Sequence, residues 1–256
     1  MSSKPMTNGA GEIDLDHVAI ATRDVSPLVN TLVGRFGSRV LFGGINFGFR
    51  AMQLDCGDLR IELLEPHNIE QNDFLERFLV RSGEGPHHLT FKTDDIVGLL
   101  ERIDEAGFHP VGVNLDNPFW REAFIHPREA WGTVVQVAQS DFSPLDLEQE
   151  VREYGPGIWW PKPPEPDTER AVLRRVVVTT DEMSRTLALY SDVLGGDRAG
   201  WDEGFVELVW PGGGHIRVEV AAGRTEGIDR LEWEHDGPPS EHVVGGTRMV
   251  VYSASS

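Results

Sequence analysis

The feature that most restricts the fold is a repeated phrase: a strand carrying histidine that runs into an aspartate and a helix. It occurs as Leu15-Asp16-His17-Val18-Ala19-Ile20-Ala21-Thr22-Arg23-Asp24 and again as Pro86-His87-His88-Leu89-Thr90-Phe91-Lys92-Thr93-Asp94-Asp95, with 71 residues from His17 to His88. A repeat of that length is a small supersecondary unit and is too long for a solenoid repeat. A third copy, Leu173 to Glu182, keeps the strand and the cap but has Arg175 in the histidine position.

Each copy opens a longer pattern. In the first, the β-branched and small residues from Leu15 to Thr22 predict a strand. Asp24 then caps a helix with Leu28, Leu32, Val33 and Phe36 on one stripe, ended by Gly37. Strands are expected at 39–42, 47–54 and 59–64, the last two joined by the turn Asp55-Cys56-Gly57-Asp58. The order is strand, helix, three strands. After a connection in which Phe74, Phe78 and Leu79 suggest a short helix, the second copy repeats it. Asp94 or Asp95 caps a helix with Ile96, Leu99, Leu100 and Ile103 inward, Gly107 stops it, and strands follow at 110–113, 122–125 and 133–138. The third copy has a strand at 174–180, a helix with Met183, Leu187, Tyr190 and Leu194 inward, and strands at 205–210 and 215–220. Residues 228–234 and 247–252 look like the first and last strands of a fourth copy with no room for a helix between them. The expected organisation is a tail at 1–12, a two-module domain at 13–140, a Pro/Trp-rich linker at 141–169 with Trp159 and Trp160 docking on a domain, and a degenerate domain at 170–256.

Composition removes several function classes. With 23 basic and 42 acidic residues the net charge is −19, which argues against a nucleic-acid partner and against an anionic membrane surface. The only cysteine is Cys56, so no intrachain disulfide can form. No apolar run is long enough to cross a bilayer, and the N-terminal residues have no signal-peptide core. The expectation is a cytoplasmic protein acting on a small molecule.

The segments Leu15 to Ala21, Ile61-Glu62-Leu63-Leu64-Glu65-Pro66, Pro86-His87-His88-Leu89 and Phe124-Ile125-His126-Pro127 together resemble the vicinal oxygen chelate superfamily, which includes glyoxalases, bleomycin resistance proteins and dioxygenases. Within it the chain most resembles the methylmalonyl-CoA epimerase branch, and glyoxalase I more distantly. The resemblance covers roughly residues 13–140. It implies an α+β fold in which paired βαβββ modules curl into a half-open barrel, a cup around one divalent metal, followed here by a second, degenerate glyoxalase-like domain. It implies metal ligands on the first and last strand of each module, which fall on His17, Glu62, His88 and Gln136. Strand alternation agrees. His17, Ala19 and Ala21 share one face while Val18 and Ile20 share the other, and Glu62, His88 and Gln136 likewise sit opposite apolar neighbours. The same alternation puts His87 with Leu89 and Phe91, under the helix. Two imidazoles, a carboxylate and an amide oxygen suit Zn, Co, Ni, Mn or Fe.

The chain departs from the epimerase pattern in a coordinated way. The carboxylate ligand sits in the first module, as Glu62, and the second module offers Gln136 instead. The acid on the penultimate strand is missing from Phe49-Arg50-Ala51-Met52 but present in the second module as Glu122, on a face shared with Trp120 and Phe124. Both changes amount to a rotation of the acid/base pair about the pseudo-two-fold between modules. The alternative for Glu122 is an ion pair with Arg121 or Arg128. Arg60 and Arg50 are candidate substrate-binding groups, with exposed strand arginines as the alternative. In the third and fourth modules Arg175 stands in the histidine position, Glu219 stands near the equivalent of Glu62, and Arg230 and Val250 stand near the other two ligand positions, so no metal is expected there. That domain is left to shield the cup, shape substrate entry or mediate a homodimer.

The function expected from the resemblance is a metal-dependent isomerase or epimerase, or a glyoxalase-type lyase, that works through a metal-stabilised enolate of a small acyl or keto substrate such as a CoA thioester. Glu122 and Glu62 are its expected catalytic carboxylates, with Arg60, Arg50, Trp120 and Phe124 around the substrate. An Fe(II)-dependent extradiol-type dioxygenase and a non-catalytic binding protein of the same fold are the alternatives.

Overall fold

The computed structural model describes residues 11–140, 161–167 and 170–254. Most of the expected tail and of the linker, with Trp159 and Trp160, lie outside them. The elements in chain order are β1 (Ile13–Ala21), α1 (Ser26–Val29, continued by a π-helical turn, Asn30–Arg35), β2 (Arg39–Ile45), β3 (Phe49–Asp55), β4 (Arg60–Pro66), α2 (Phe74–Ser82), β5 (Gly85–Thr93), α3 (Ile96–Glu105), β6 (Pro110–Asn114), β7 (Arg121–Ile125) and β8 (Val134–Gln139). The second half adds β9 (Val172–Thr180), α4 (Met183–Leu187, with a π-helical turn, Ala188–Val193), β10 (Asp197–Asp202), β11 (Phe205–Val209), β12 (His215–Val220), β13 (Gly227–His235), β14 (Ser240–Val244) and β15 (Thr247–Ser253). The sequence pattern missed β10 and β14. β10, Asp-Arg-Ala-Gly-Trp-Asp, is exposed along nearly its whole length and so has no apolar alternation to read.

The strands form two open sheets, β2-β3-β4-β1-β5-β8-β7-β6 and β10-β11-β12-β9-β13-β15-β14. In the first, β1 and β5 run antiparallel at the centre, with β4 parallel to β1 and β8 parallel to β5. The two βαβββ modules are thus related by a pseudo-two-fold between β1 and β5. Neither sheet closes, and the first keeps β2 and β6 as free edges, as a half-open cup requires.

One continuous core joins the two sheets. Val18, Ile20, Ile61 and Leu63 from the first sheet and Val176, Val178, Ile216 and Val218 from the second belong to it, together with the inward stripes of α1, α3 and α4. The alternating partners of these residues, His17, Ala19, Glu62, Arg175, Val177 and Arg217, therefore line the faces turned away from the shared core. The absence of a helix in the fourth module has a tertiary explanation. Phe36, at the end of α1, packs on Trp233 of β13 with ring centroids 4.8 Å apart and against His242 of β14 at 5.8 Å. Gly245, in the β14–β15 turn at φ +50°, sits against Leu28 of α1, whose Cδ1 would lie 2.8 Å from an added Cβ and would have to shift. The first module's helix covers the apolar face that a fourth helix would have covered. Phe36→Ala is expected to lose about 3–5 kcal/mol of stability, the usual cost of emptying a buried aromatic site, read as a lower midpoint in urea unfolding.

A second apolar cluster lies on the cup face of the first sheet. Leu75 and Leu79 of α2 are buried against Ala19, Ala21, Ala51 and Leu64, with Phe49, Phe74 and Phe78 at its margin. Helix α2, which connects the modules, thus closes one end of the cup and leaves the end around His17, Glu62, Thr90 and Gln136. No helix among the described residues is long and apolar enough to cross a membrane.

Candidate metal centre

The register of the central strands brings three of the four expected ligands together. His17 lies opposite Thr90, Ala19 opposite His88, Glu62 beside Ala19 and Gln136 beside Thr90. His17 Nε2 is 3.4 Å from Glu62 Oε2, and His88 Nε2 is 3.9 Å from the same oxygen. One donor atom from each of His17, Glu62 and His88 lies within 4.8 Å of the others. Gln136 joins through Thr90, whose hydroxyl donates to Gln136 Oε1 at 2.6 Å and lies 3.0 Å from His17 Nε2.

These residues fit a divalent cation on three counts. His88 Nε2 is buried and has no hydrogen-bond partner, a costly state for an imidazole nitrogen unless something binds it. Donor atoms about 2.0–2.2 Å from a shared ion stand roughly 3–3.6 Å apart, so the observed separations need little closing. The donor set of two imidazoles, one carboxylate and one amide is of borderline softness.

The supporting residues differ on the two sides. His17 Nδ1 donates to Asp16 Oδ2 at 2.7 Å, which presents Nε2 to the centre. Burial disfavours a charged His17, but the hydrogen bonds to Asp16 and Glu62 outweigh it and push the imidazole up to about 9. Burial likewise opposes ionisation of Asp16, and the bond from His17 with the charges of Lys92 and Arg60 holds its carboxyl well below the usual range. His88 is the opposite case: burial, with the neighbouring imidazoles, lowers its pKa well below the ordinary value and keeps it neutral.

Sequence alternation places His87 under the helix, and the structure corrects this and also brings Asp16 to the centre. The β1–β5 register slips between Leu15 and His17, and again where Ala19 and Ile20 face His88 and Pro86. Each slip is a bulge that leaves one residue unpaired, Asp16 in β1 and His87 in β5. His87 does not lie under α3. Its ring packs on Phe78 of α2 at 4.5 Å and its Nδ1 is 2.7 Å from His88 Nδ1. A bulge in a central strand leaves no mark in residue alternation, so neither contact could be read from sequence.

Glu122 faces the cup, since its neighbours Ala123 and Ile125 belong to the shared core. Its Oε2 accepts from Gln136 Nε2 at 2.7 Å and from Trp120 Nε1 at 2.8 Å. Phe124 lies opposite Gln136 on the same face, and Lys92 Nζ sits 5.2 Å above the Trp120 ring. The pseudo-symmetric position in the first module is Ala51, because Ala51 pairs with Leu64 as Glu122 pairs with Ala138.

The two arginines behave differently from expectation. Arg50 shares its face with Met52 and Leu54 of the core and is ion-paired with Glu65, whose other oxygen accepts from Val25 N. It fastens β3 to the start of α1 and does not enter the cup. Arg60 shares the face of Glu62, but its guanidinium turns to Asp16 Oδ1 at 3.3 Å. It supports the carboxylate that orients His17.

The second sheet repeats the geometry with other chemistry. Register equates Arg175 with His17, Arg230 with His88, Val250 with Gln136 and Glu232 with Thr90. It equates Arg217, not the expected Glu219, with Glu62, because Arg217 lies beside Val177 as Glu62 lies beside Ala19. Three guanidiniums thus stand where the first sheet has His, Glu and His. Arg175 pairs with Glu207 and Glu232, Arg217 with Glu207, and Arg230 with Glu219 and Glu232. Burial would raise the Glu232 pKa, and Arg175 and Arg230 keep it below its ordinary value. Arg175→His is expected to add no metal site, since Arg217 and Arg230 still occupy two ligand positions with cations. Cobalt stoichiometry equal to that of the wild type is the expected result, and an additional equivalent per chain would contradict this equivalence.

Residues 16–124 match the Glyoxalase/Bleomycin resistance protein/Dioxygenase superfamily. The chain carries a domain of that superfamily. No curated protein sequence matches the chain. Among solved structures, a hypothetical protein from Staphylococcus aureus matches 94% of this chain and 100% of its own at 12% identity and a TM-score of 0.67, so its fold extends over both sheets. A hypothetical protein from Bacillus halodurans matches 51% of this chain and 96% of its own, with 25% identity and a TM-score of 0.45. The methylmalonyl-CoA epimerase of Mycobacterium tuberculosis matches 56% of this chain and 94% of its own, with 23% identity and a TM-score of 0.44.

Proposed function

We propose that the first sheet holds one divalent metal between His17, Glu62, His88 and Gln136, and that the protein is a metal-dependent isomerase or epimerase of a small acyl or keto compound. The observation that carries this reading is the pairing of a buried His–Glu–His cluster with a second carboxylate, Glu122, one hydrogen bond from Gln136. The cation would supply Lewis acidity to a substrate carbonyl. Glu122 would take or return the proton on the adjacent carbon, while Trp120 and Phe124 shield that carbon from water. Glu62 would be the only charged ligand and would lower the net charge of the bound cation. Two imidazoles and a carboxylate are also the donor set of Fe(II) oxygenases, which is the second reading. Glu122 favours the first, because a carboxylate beside the centre can move a proton to and from the carbon next to a carbonyl held there.

The substrate class proposed is a CoA thioester or a 2-keto acid, and the second domain is proposed to shield the back of the first rather than to bind metal. The test is to load the protein with Co²⁺ and follow α-proton exchange in D₂O over a panel of acyl-CoA thioesters and 2-keto acids, with dissolved oxygen monitored. Exchange without oxygen uptake is the expected result. Oxygen uptake with a catechol would overturn the isomerase assignment, and silence in both assays would leave a binding module.

A further inference from the structure

The bulge in β5 gives one ligand histidine an unusual partner. His87 Nδ1 and His88 Nδ1 are 2.7 Å apart, so one ring donates and the other accepts. Which one donates decides whether His88 can bind a cation. If His87 donated, the proton of neutral His88 would sit on Nε2, the atom that faces Glu62 at 3.9 Å without a hydrogen bond. No lone pair would then face the centre. If His88 donates, its Nε2 lone pair points inward and its orphaned state is what a ligand nitrogen shows before it is engaged. The His87 ring is held for this role by α2, with Phe78 at 4.5 Å and Phe74 at 6.1 Å, both edge to face.

We propose that His87 is a positioning residue of the metal centre: its Nδ1 accepts the Nδ1 proton of His88 and so fixes His88 as the Nε2-ligating tautomer. The inference rests on the metal-centre reading and deepens it. It makes the two ligand histidines unequal. His17 is backed by the Asp16 carboxylate, which strengthens its donation, whereas His88 is backed by a neutral ring. It also connects the centre to α2, because a shift of Phe78 would move the acceptor that sets the His88 tautomer.

Two variants and one spectrum test it. His87→Phe keeps an aromatic ring against Phe74 and Phe78 but has no acceptor. His87→Asn restores an acceptor oxygen near the position of Nδ1. With Co²⁺ alone as probe, His87→Phe is expected to bind about 10–100-fold more weakly than the wild type, the usual cost of losing such a partner, and His87→Asn to recover most of that loss. His87→Phe with wild-type affinity, or both variants equally weak, would overturn the proposal. Should either variant fail to fold, ¹⁵N spectra of the wild-type imidazoles without metal decide the matter: His88 protonated at Nδ1 and His87 at Nε2 support it, and the reverse overturns it. A wild-type protein that takes up no Co²⁺ removes the metal centre itself, and this inference with it. Normal wild-type uptake with an insensitive His87→Phe removes this inference alone.

Discussion

His88→Ala should abolish metal uptake at Co²⁺ concentrations that saturate the wild type, and it should do so without unfolding the protein. The expected loss is on the order of 10²–10³-fold in affinity, taking one of four ligands as a quarter of the roughly 10–16 kcal/mol that a four-ligand site can supply. The fold should tolerate the change because of what His88 does without a metal. It is buried, it is kept neutral, and its Nε2 has no partner. Removing an unsatisfied buried nitrogen relieves a cost of about 1–3 kcal/mol, which offsets part of the lost packing and of the lost bond to His87 Nδ1. The two measurements therefore diverge. Thermal unfolding without metal should change little, whereas the stabilisation that saturating Co²⁺ gives the wild type, about 2.7 kcal/mol at a hundredfold excess over Kd, should be absent from the variant. Equal cobalt content in His88→Ala and wild type would remove His88 from the site.

What the sequence shows and what it hides divide along the backbone. His17, Glu62 and Gln136 could be placed on the cup face because their neighbours Val18, Ile20, Ile61, Leu63, Val135 and Val137 are apolar, and the structure buries those neighbours in the shared core. That inference needs only a period of two. It fails wherever the period is broken. The bulges at Asp16 and His87 each return to the site a residue that alternation assigns to the other face, and no local preference announces either slip. The same holds between domains. The fourth module reads as truncated from its own residues, yet its missing helix is supplied by α1 through Phe36 and Leu28, some 200 residues away in sequence. Glu219 looked like the counterpart of Glu62 because it is an acid near the right strand position. Hydrogen-bond register, which depends on the partner strand, gives that place to Arg217.

Glu122→Gln should keep the metal and the fold while α-proton exchange falls by about 10²–10⁴-fold, the usual contribution of a general base. Glu122 is not a metal ligand. It meets the centre through Gln136 Nε2 at 2.7 Å; Gln136 in turn accepts from Thr90, whose hydroxyl meets His17. A glutamine at 122 can still accept from Gln136 and from Trp120 Nε1 through its amide oxygen, so the network that holds the side chain on the cup face survives. What it cannot do is accept a proton from carbon. Glu62→Gln separates the two roles of the carboxylates. It removes the only charged ligand, so affinity for Co²⁺ and exchange should both fall, and raising the metal concentration should recover part of the exchange. No metal concentration should rescue Glu122→Gln. The pseudo-symmetric Ala51 gives a further arm. Ala51→Glu would place a carboxylate against Leu75 and Leu79 of α2, where it would be buried without a partner, so it should destabilise the protein and restore no activity to Glu122→Gln. A Glu122→Gln enzyme with normal exchange would show that the proton acceptor lies elsewhere, and with it would go the argument that prefers an isomerase to an oxygenase at this His–Glu–His centre.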